Sequence, residues 1–78
     1  SGQSCIAGSR LLVQESVHDV FVDRVIDIAR RAVVGNPMDP GTQIGPVTTR
    51  AQYEKILEYI DVGKQDGATC AIGGAPLD

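Results

Sequence analysis

Cys5 lies in a run of small residues, Ser1-Gly2-Gln3-Ser4-Cys5-Ile6-Ala7-Gly8-Ser9. Small neighbours let a substrate and backbone amides come close to the sulfur. A thiolate in such a setting can add to a carbonyl carbon and later leave from the acyl carbon, which is covalent catalysis by cysteine. The competing reading is a buried, inert thiol, the common fate of a free cysteine. A Cys/His thiol hydrolase would need Cys5 beside His18, the one histidine. An extended run between them, at ~3.3 Å per residue, carries His18 about 10–15 Å from the thiol. His18 has no Cys/His ligand spacing around it, so no metal site is expected. Cys70 falls in a strand-like run and reads as structural.

The elements that hold Cys5 follow from patterning. Arg10-Leu11-Leu12-Val13-Gln14 is apolar without alternation, as in a strand covered on both faces. Ser16 and Asp19 form an S-x-x-D capping pattern. The spacing then predicts a helix from about Val17 to Val33, with Val17, Val20, Phe21, Val25, Ile28, Ala29 and Ala32 on its apolar face. Gly35 and Pro37 end it. Residues 34–48, rich in Gly and Pro, read as a loop without structure of its own. Thr49-x-x-Gln52 caps a second helix, about Arg50 to Gln65, with Tyr53, Ile56, Leu57 and Ile60 inward. Gly67 stops it. Ala68-Thr69-Cys70-Ala71-Ile72 reads as a short strand ended by Gly73-Gly74. Strand, helix, loop, helix, strand is a piece of an α/β layered fold.

Composition narrows the function classes. The chain has 78 residues, 42% hydrophobic and 4% aromatic, at the lower end for a domain with its own core. Its net charge of -3 gives no basic footprint, so no nucleic-acid partner is expected. No stretch reaches the roughly 18 apolar residues of a membrane span, and no basic segment leads an apolar one as in a signal peptide. Two cysteines make no disulfide framework, and a nucleophilic thiol suits a reducing compartment, so a cytoplasmic location is expected.

Gly2-Gln3-x-Cys5-x-Ala7-Gly8-Ser9-Arg10 closely resembles the active-cysteine motif of the NAD(P)-dependent aldehyde dehydrogenases. Val34-Gly35-Asn36-Pro37-Met38-Asp39 resembles that family's V-G-(N/D)-P-x-D segment, and Thr42-Gln43-Ile44-Gly45-Pro46 its T-x-x-G-P. Gln52-Tyr53-x-Lys55-Ile56-Leu57-x-Tyr59-Ile60, Gly63-Lys64-x-x-Gly67-Ala68 and Gly73-Gly74 follow in the same order. Each motif is weak alone; together they cover the chain.

The resemblance implies that residues 1–78 are the N-terminal part of a catalytic domain, a piece of a larger enzyme. The cofactor domain, the general-base glutamate and the oligomerisation segment would lie outside it, and the piece alone would be inactive. It implies Cys5 as the nucleophile that forms a thiohemiacetal and then a thioester, its backbone N–H helping to hold the oxyanion. It implies Gln52 and Lys55 as contacts to the nicotinamide-side ribose of NAD or NADP. Their spacing of three puts them side by side on one helix surface. The implied partners are a small aldehyde, the rest of the parent enzyme and further copies of it. Against this stands a small helical interaction module whose cysteine is incidental. The identity of the aldehyde and the choice between NAD and NADP are not legible in these residues.

Overall fold

The structure, a computed structural model, describes residues 2–77. Ser1, at the head of the small-residue run, and Asp78 lie outside the described residues. The chain divides into two compact units, Ser1–Pro46 and Val47–Asp78.

In the first unit a 3₁₀ turn, Glu15–Val17, leads directly into helix α1, His18–Arg30. The expected Ser16/Asp19 capping box does not form: the residue before α1 is Val17, which makes no side-chain cap bond. Ser16 is inside the 3₁₀ turn instead, where its Oγ accepts from Gln14 Nε2 at 3.0 Å. The Asp19 carboxylate meets the His18 ring at 3.0 Å. Asp19 in the first turn and Arg30 in the last suit the helix dipole.

α1 stops at Arg30, three residues short of the expected end. The N–H groups of Arg31 and Ala32 bond to the carbonyls of Ile28 and Ala29, a tightening of the final turn. Val33 then leaves the helix because a different partner holds it. The Gln43 Oε1 accepts from the Val33 N–H at 2.9 Å, and the Val33 carbonyl accepts from the N–H groups of Gln43 and Ile44 at 2.9 and 3.1 Å. Val34 and Ile44 form an isolated parallel bridge, and the Gly35 N–H donates to the Ile44 carbonyl at 3.0 Å. Residues 34–48 are therefore not the unstructured loop their composition suggests. Asn36 closes a turn on Met38 through its side chain at 2.9 Å, and Asp39 and Thr42 continue with backbone bonds to Asn36 and Asp39.

In the second unit α2 runs Arg50–Gln65, as expected. Thr49 is its N-cap: Oγ1 accepts from the Gln52 N–H at 3.2 Å. Its far end is a Schellman closure, with the Ala68 N–H on the Gly63 carbonyl and the Gly67 N–H on the Lys64 carbonyl. Gly67 supplies the left-handed residue this needs, at φ 95°. Tyr53, Ile56, Leu57 and Ile60 are half-buried, the inward face the sequence indicates.

The expected strands do not form among the described residues. Neither Arg10–Gln14 nor Ala68–Ile72 is a strand among the described residues, so the strand-helix-loop-helix-strand order reduces here to two helices. A strand exists only by pairing with a neighbour, and neither run has one here. α1 is mostly exposed among the described residues. Its half-buried residues are Val22 and Ile26, one turn apart, whereas Val20 and Ile28 are 65% and 64% exposed. The apolar residues of α1 spread over about 240° of its circumference at 100° per residue, wider than one partner can cover. No described residue is fully buried.

Candidate active site

Cys5 is the second residue of a turn closed by the Ala7 N–H on the Ser4 carbonyl at 3.0 Å. The thiol is free and exposed, as is that of Cys70. Before the turn Gly2 adopts φ 77°, a backbone region that a side chain resists. Gln3 ties the segment to the end of the loop, with Nε2 3.5 Å from the Pro46 carbonyl, a long hydrogen bond. Among the described residues the Cys5 N–H has no backbone partner, so it is available to an oxygen beside the sulfur. Ile6 beside it is 91% exposed and can line whatever binds there. His18 is engaged by Asp19, and no hydrogen bond joins it to Cys5 among the described residues, which leaves the thiol hydrolase reading without support.

Cys70, also free and exposed, differs in what its sulfur touches. Its Sγ lies 3.4 and 3.5 Å from the carbonyls of Ile72 and Gly73, closing the turn in which Gly73 and Gly74 both take positive φ. A Cβ on Gly74 would fall 2.7 Å from that sulfur, so the glycine is required by the thiol packed on it.

Gln52 and Lys55 are both exposed and lie three residues apart on α2. Gln52 serves the cap with its backbone N–H, and no hydrogen bond from its side chain back to the Thr49 N–H forms among the described residues. The Lys55 ammonium donates to a Glu58 carboxylate oxygen at 2.9 Å and sits 5.2 Å from the centre of the Tyr59 ring. Hydrogen bonding and attraction from Glu58, with a smaller contribution from Tyr59, hold Lys55 protonated above the usual lysine range, against a slight opposing effect of desolvation. Glu58 was not singled out from the sequence, although its i+3 spacing from Lys55 was the signal available. Cys5 belongs to the first unit, Gln52 and Lys55 to the second. Among the described residues no cluster of His, Cys, Asp and Glu suits a metal ion, and no helix is long and apolar enough to cross a membrane.

The chain resembles known proteins along nearly its whole length. It is 49% identical over 74 residues to a betaine aldehyde dehydrogenase of Mesorhizobium japonicum, covering 95% of this chain and 15% of that protein. It is 51% identical over 75 residues to aldehyde dehydrogenase 1A1 of Bos taurus, covering 96% of this chain and 15% of the relative. The crystal structure of a betaine aldehyde dehydrogenase from Staphylococcus aureus in complex with NAD+ superposes with a TM-score of 0.95 at 45% identity, over 99% of this chain and 15% of that one. The chain thus spans about 15% of the length of these relatives. The family model described as aldehyde dehydrogenase family matches residues 1–78, and on these grounds the chain belongs to the aldehyde dehydrogenase family.

Proposed function

We propose that this chain is the cysteine-bearing part of the catalytic domain of an NAD-dependent aldehyde dehydrogenase, with Cys5 as the nucleophile. The observation that carries the reading is the Cys5 thiol on its small-residue turn, beside an N–H that has no backbone partner among the described residues. The Cys5 thiolate adds to the aldehyde carbon, forming an S–C bond and an oxyanion that the Cys5 N–H helps to hold. The bond persists while the carbon is oxidised to the thioester level. Water then breaks it, releasing a carboxylic acid and restoring the thiol.

A nicotinamide cofactor, when bound, supplies the two-electron acceptor. Gln52 and Lys55 fit one end of it. An ammonium carries three N–H donors, and with one on Glu58 two remain for ribose hydroxyls, beside a side-chain amide able to donate and accept. NAD is favoured over NADP because the Staphylococcus aureus relative is a complex with NAD+. Relatives of the same family are named cytosolic, which favours a cytoplasmic location. Residues 10–14 and 68–72 are the strands of the α/β catalytic domain, their ladder partners lying in the remainder of a homo-oligomeric parent enzyme. The piece by itself is inactive, having neither the general base nor a glycine-rich phosphate loop opening a helix.

Alkylation of the full-length enzyme tests the assignment. Iodoacetamide should modify Cys5 in step with loss of aldehyde oxidation, and an aldehyde substrate should slow both. Inactivation with Cys5 unmodified by peptide mapping would remove the thiol from the mechanism.

A further inference from the structure

Lys55 is the one side chain of the candidate site held from two directions by its own helix. Its ammonium meets the Glu58 carboxylate at 2.9 Å and lies over the Tyr59 ring at 5.2 Å. The two partners are one helical turn on, so the lysine stem lies along α2 toward its C-terminus rather than ranging through solvent. The pair remains open to a ligand: the Lys55 and Glu58 side chains are 50% and 61% exposed. The two arginine–carboxylate pairs among the described residues, Arg31–Asp27 and Arg50–Glu54, also join residues one turn apart, but neither involves a residue of the candidate site.

We propose that Glu58 is a positioning residue for nicotinamide-cofactor binding, fixing the Lys55 ammonium where it donates to the cofactor's ribose. The inference rests on the assignment of Lys55 to that ribose. An exposed ion pair contributes little to folding stability. Its effect on binding is different in kind. A lysine already ordered by Glu58 loses less freedom when a ligand arrives, and the saving appears as affinity. The carboxylate takes one of three ammonium donors and aims the others. Tyr59 covers the ammonium from one side and limits the directions it can take.

The test uses the full-length enzyme and four variants, Lys55→Ala, Glu58→Ala, Glu58→Gln and the double variant Lys55→Ala/Glu58→Ala. Calorimetric Kd for NAD is read alongside KM and kcat. Glu58→Ala should raise the Kd and KM for NAD about threefold or more, with kcat changed much less. Glu58→Gln, which keeps an acceptor but not the charge, should fall between it and the wild type. In the Lys55→Ala background, removal of Glu58 should change nothing further, since its effect passes through the lysine. If Lys55→Ala weakens NAD binding and Glu58→Ala does not, or if the two losses simply add, the positioning role is overturned and the lysine assignment survives. If Lys55→Ala leaves the Kd unchanged, both fall together.

Discussion

Gln43 and Val33 exchange two hydrogen bonds: the Gln43 side chain accepts from the Val33 N–H, and the Gln43 N–H donates to the Val33 carbonyl, each at 2.9 Å. The glutamine thereby occupies both polar groups of the residue at which the chain leaves α1. The bridge from Val34 to Ile44 follows immediately. The loop between them is closed at its base, and Gly45-Pro46 is carried back to the segment that bears Cys5 through Gln3.

Gln43→Leu should therefore open this base. Loss of one such bond costs about 1 kcal/mol, which corresponds to roughly fivefold faster exchange of the Val33 amide if local opening governs it. Hydrogen exchange followed by mass spectrometry on the full-length enzyme reads this. Gln43→Glu keeps an acceptor and should keep most of the protection. Unchanged exchange in Gln43→Leu would mean that other contacts hold Val33.

The two cysteines should separate cleanly. Cys5→Ala is expected to lower aldehyde oxidation by about a thousandfold or more, as removal of a covalent nucleophile does. Cys70→Ala should leave it nearly intact, since its sulfur serves a turn formed by Ile72 and Gly73. Comparable losses from both would contradict the division of roles.

Thr49 and Gln52 allow a similar separation on α2. The cap is the Thr49 hydroxyl on the Gln52 backbone N–H, a group that alanine retains. Thr49→Ala should cost about 1 kcal/mol of helix stability. Gln52→Ala should cost little stability and raise the KM for NAD. Melting curves and cofactor kinetics on the two variants decide it. A stability loss in Gln52→Ala without a kinetic effect would return Gln52 to a structural role.

Lys55 gives a pH dependence with a definite sign. Its pKa lies above the ordinary 10.5 because the Glu58 carboxylate bonds and attracts the ammonium. The attraction is complete below the ordinary lysine pKa and is lost as pH rises through the raised one. NAD affinity that depends on the ammonium should hold to a more alkaline pH in the wild type than in Glu58→Gln. The pair is exposed, so 1 M salt, with a Debye length of about 3 Å, should narrow the difference. Titration of ¹³C-methylated Lys55 by NMR checks the ordering; an equal midpoint in both forms would contradict it.

Much of this was legible in the residues. The α2 boundaries follow from Thr49 and Gly67, local signals whose partners are within a turn of the helix. The Cys5 motif is equally local. What escaped depends on groups distant in sequence or absent from it. Residues 34–48 read as unstructured because a glutamine ten residues from its backbone partner leaves no periodic trace. A helix apolar over so wide an arc as α1 offers two faces of nearly equal merit, and only contacts decide between Val22 and Ile26 on one side and Val20 and Ile28 on the other. Residues 10–14 and 68–72 carry a strand composition, yet pairing is a property of the neighbour and not of the run.

The wide apolar arc of α1 also bears on how a cell handles this polypeptide. Val20, Val25 and Ile28 are 65%, 45% and 64% exposed on α1. During synthesis such a stripe is a surface that holdase chaperones recognise and that other nascent chains can adhere to. Substitutions there need not approach Cys5 to matter: they would act on the yield of enzyme that escapes proteolysis, and their phenotype would be one of abundance rather than of turnover.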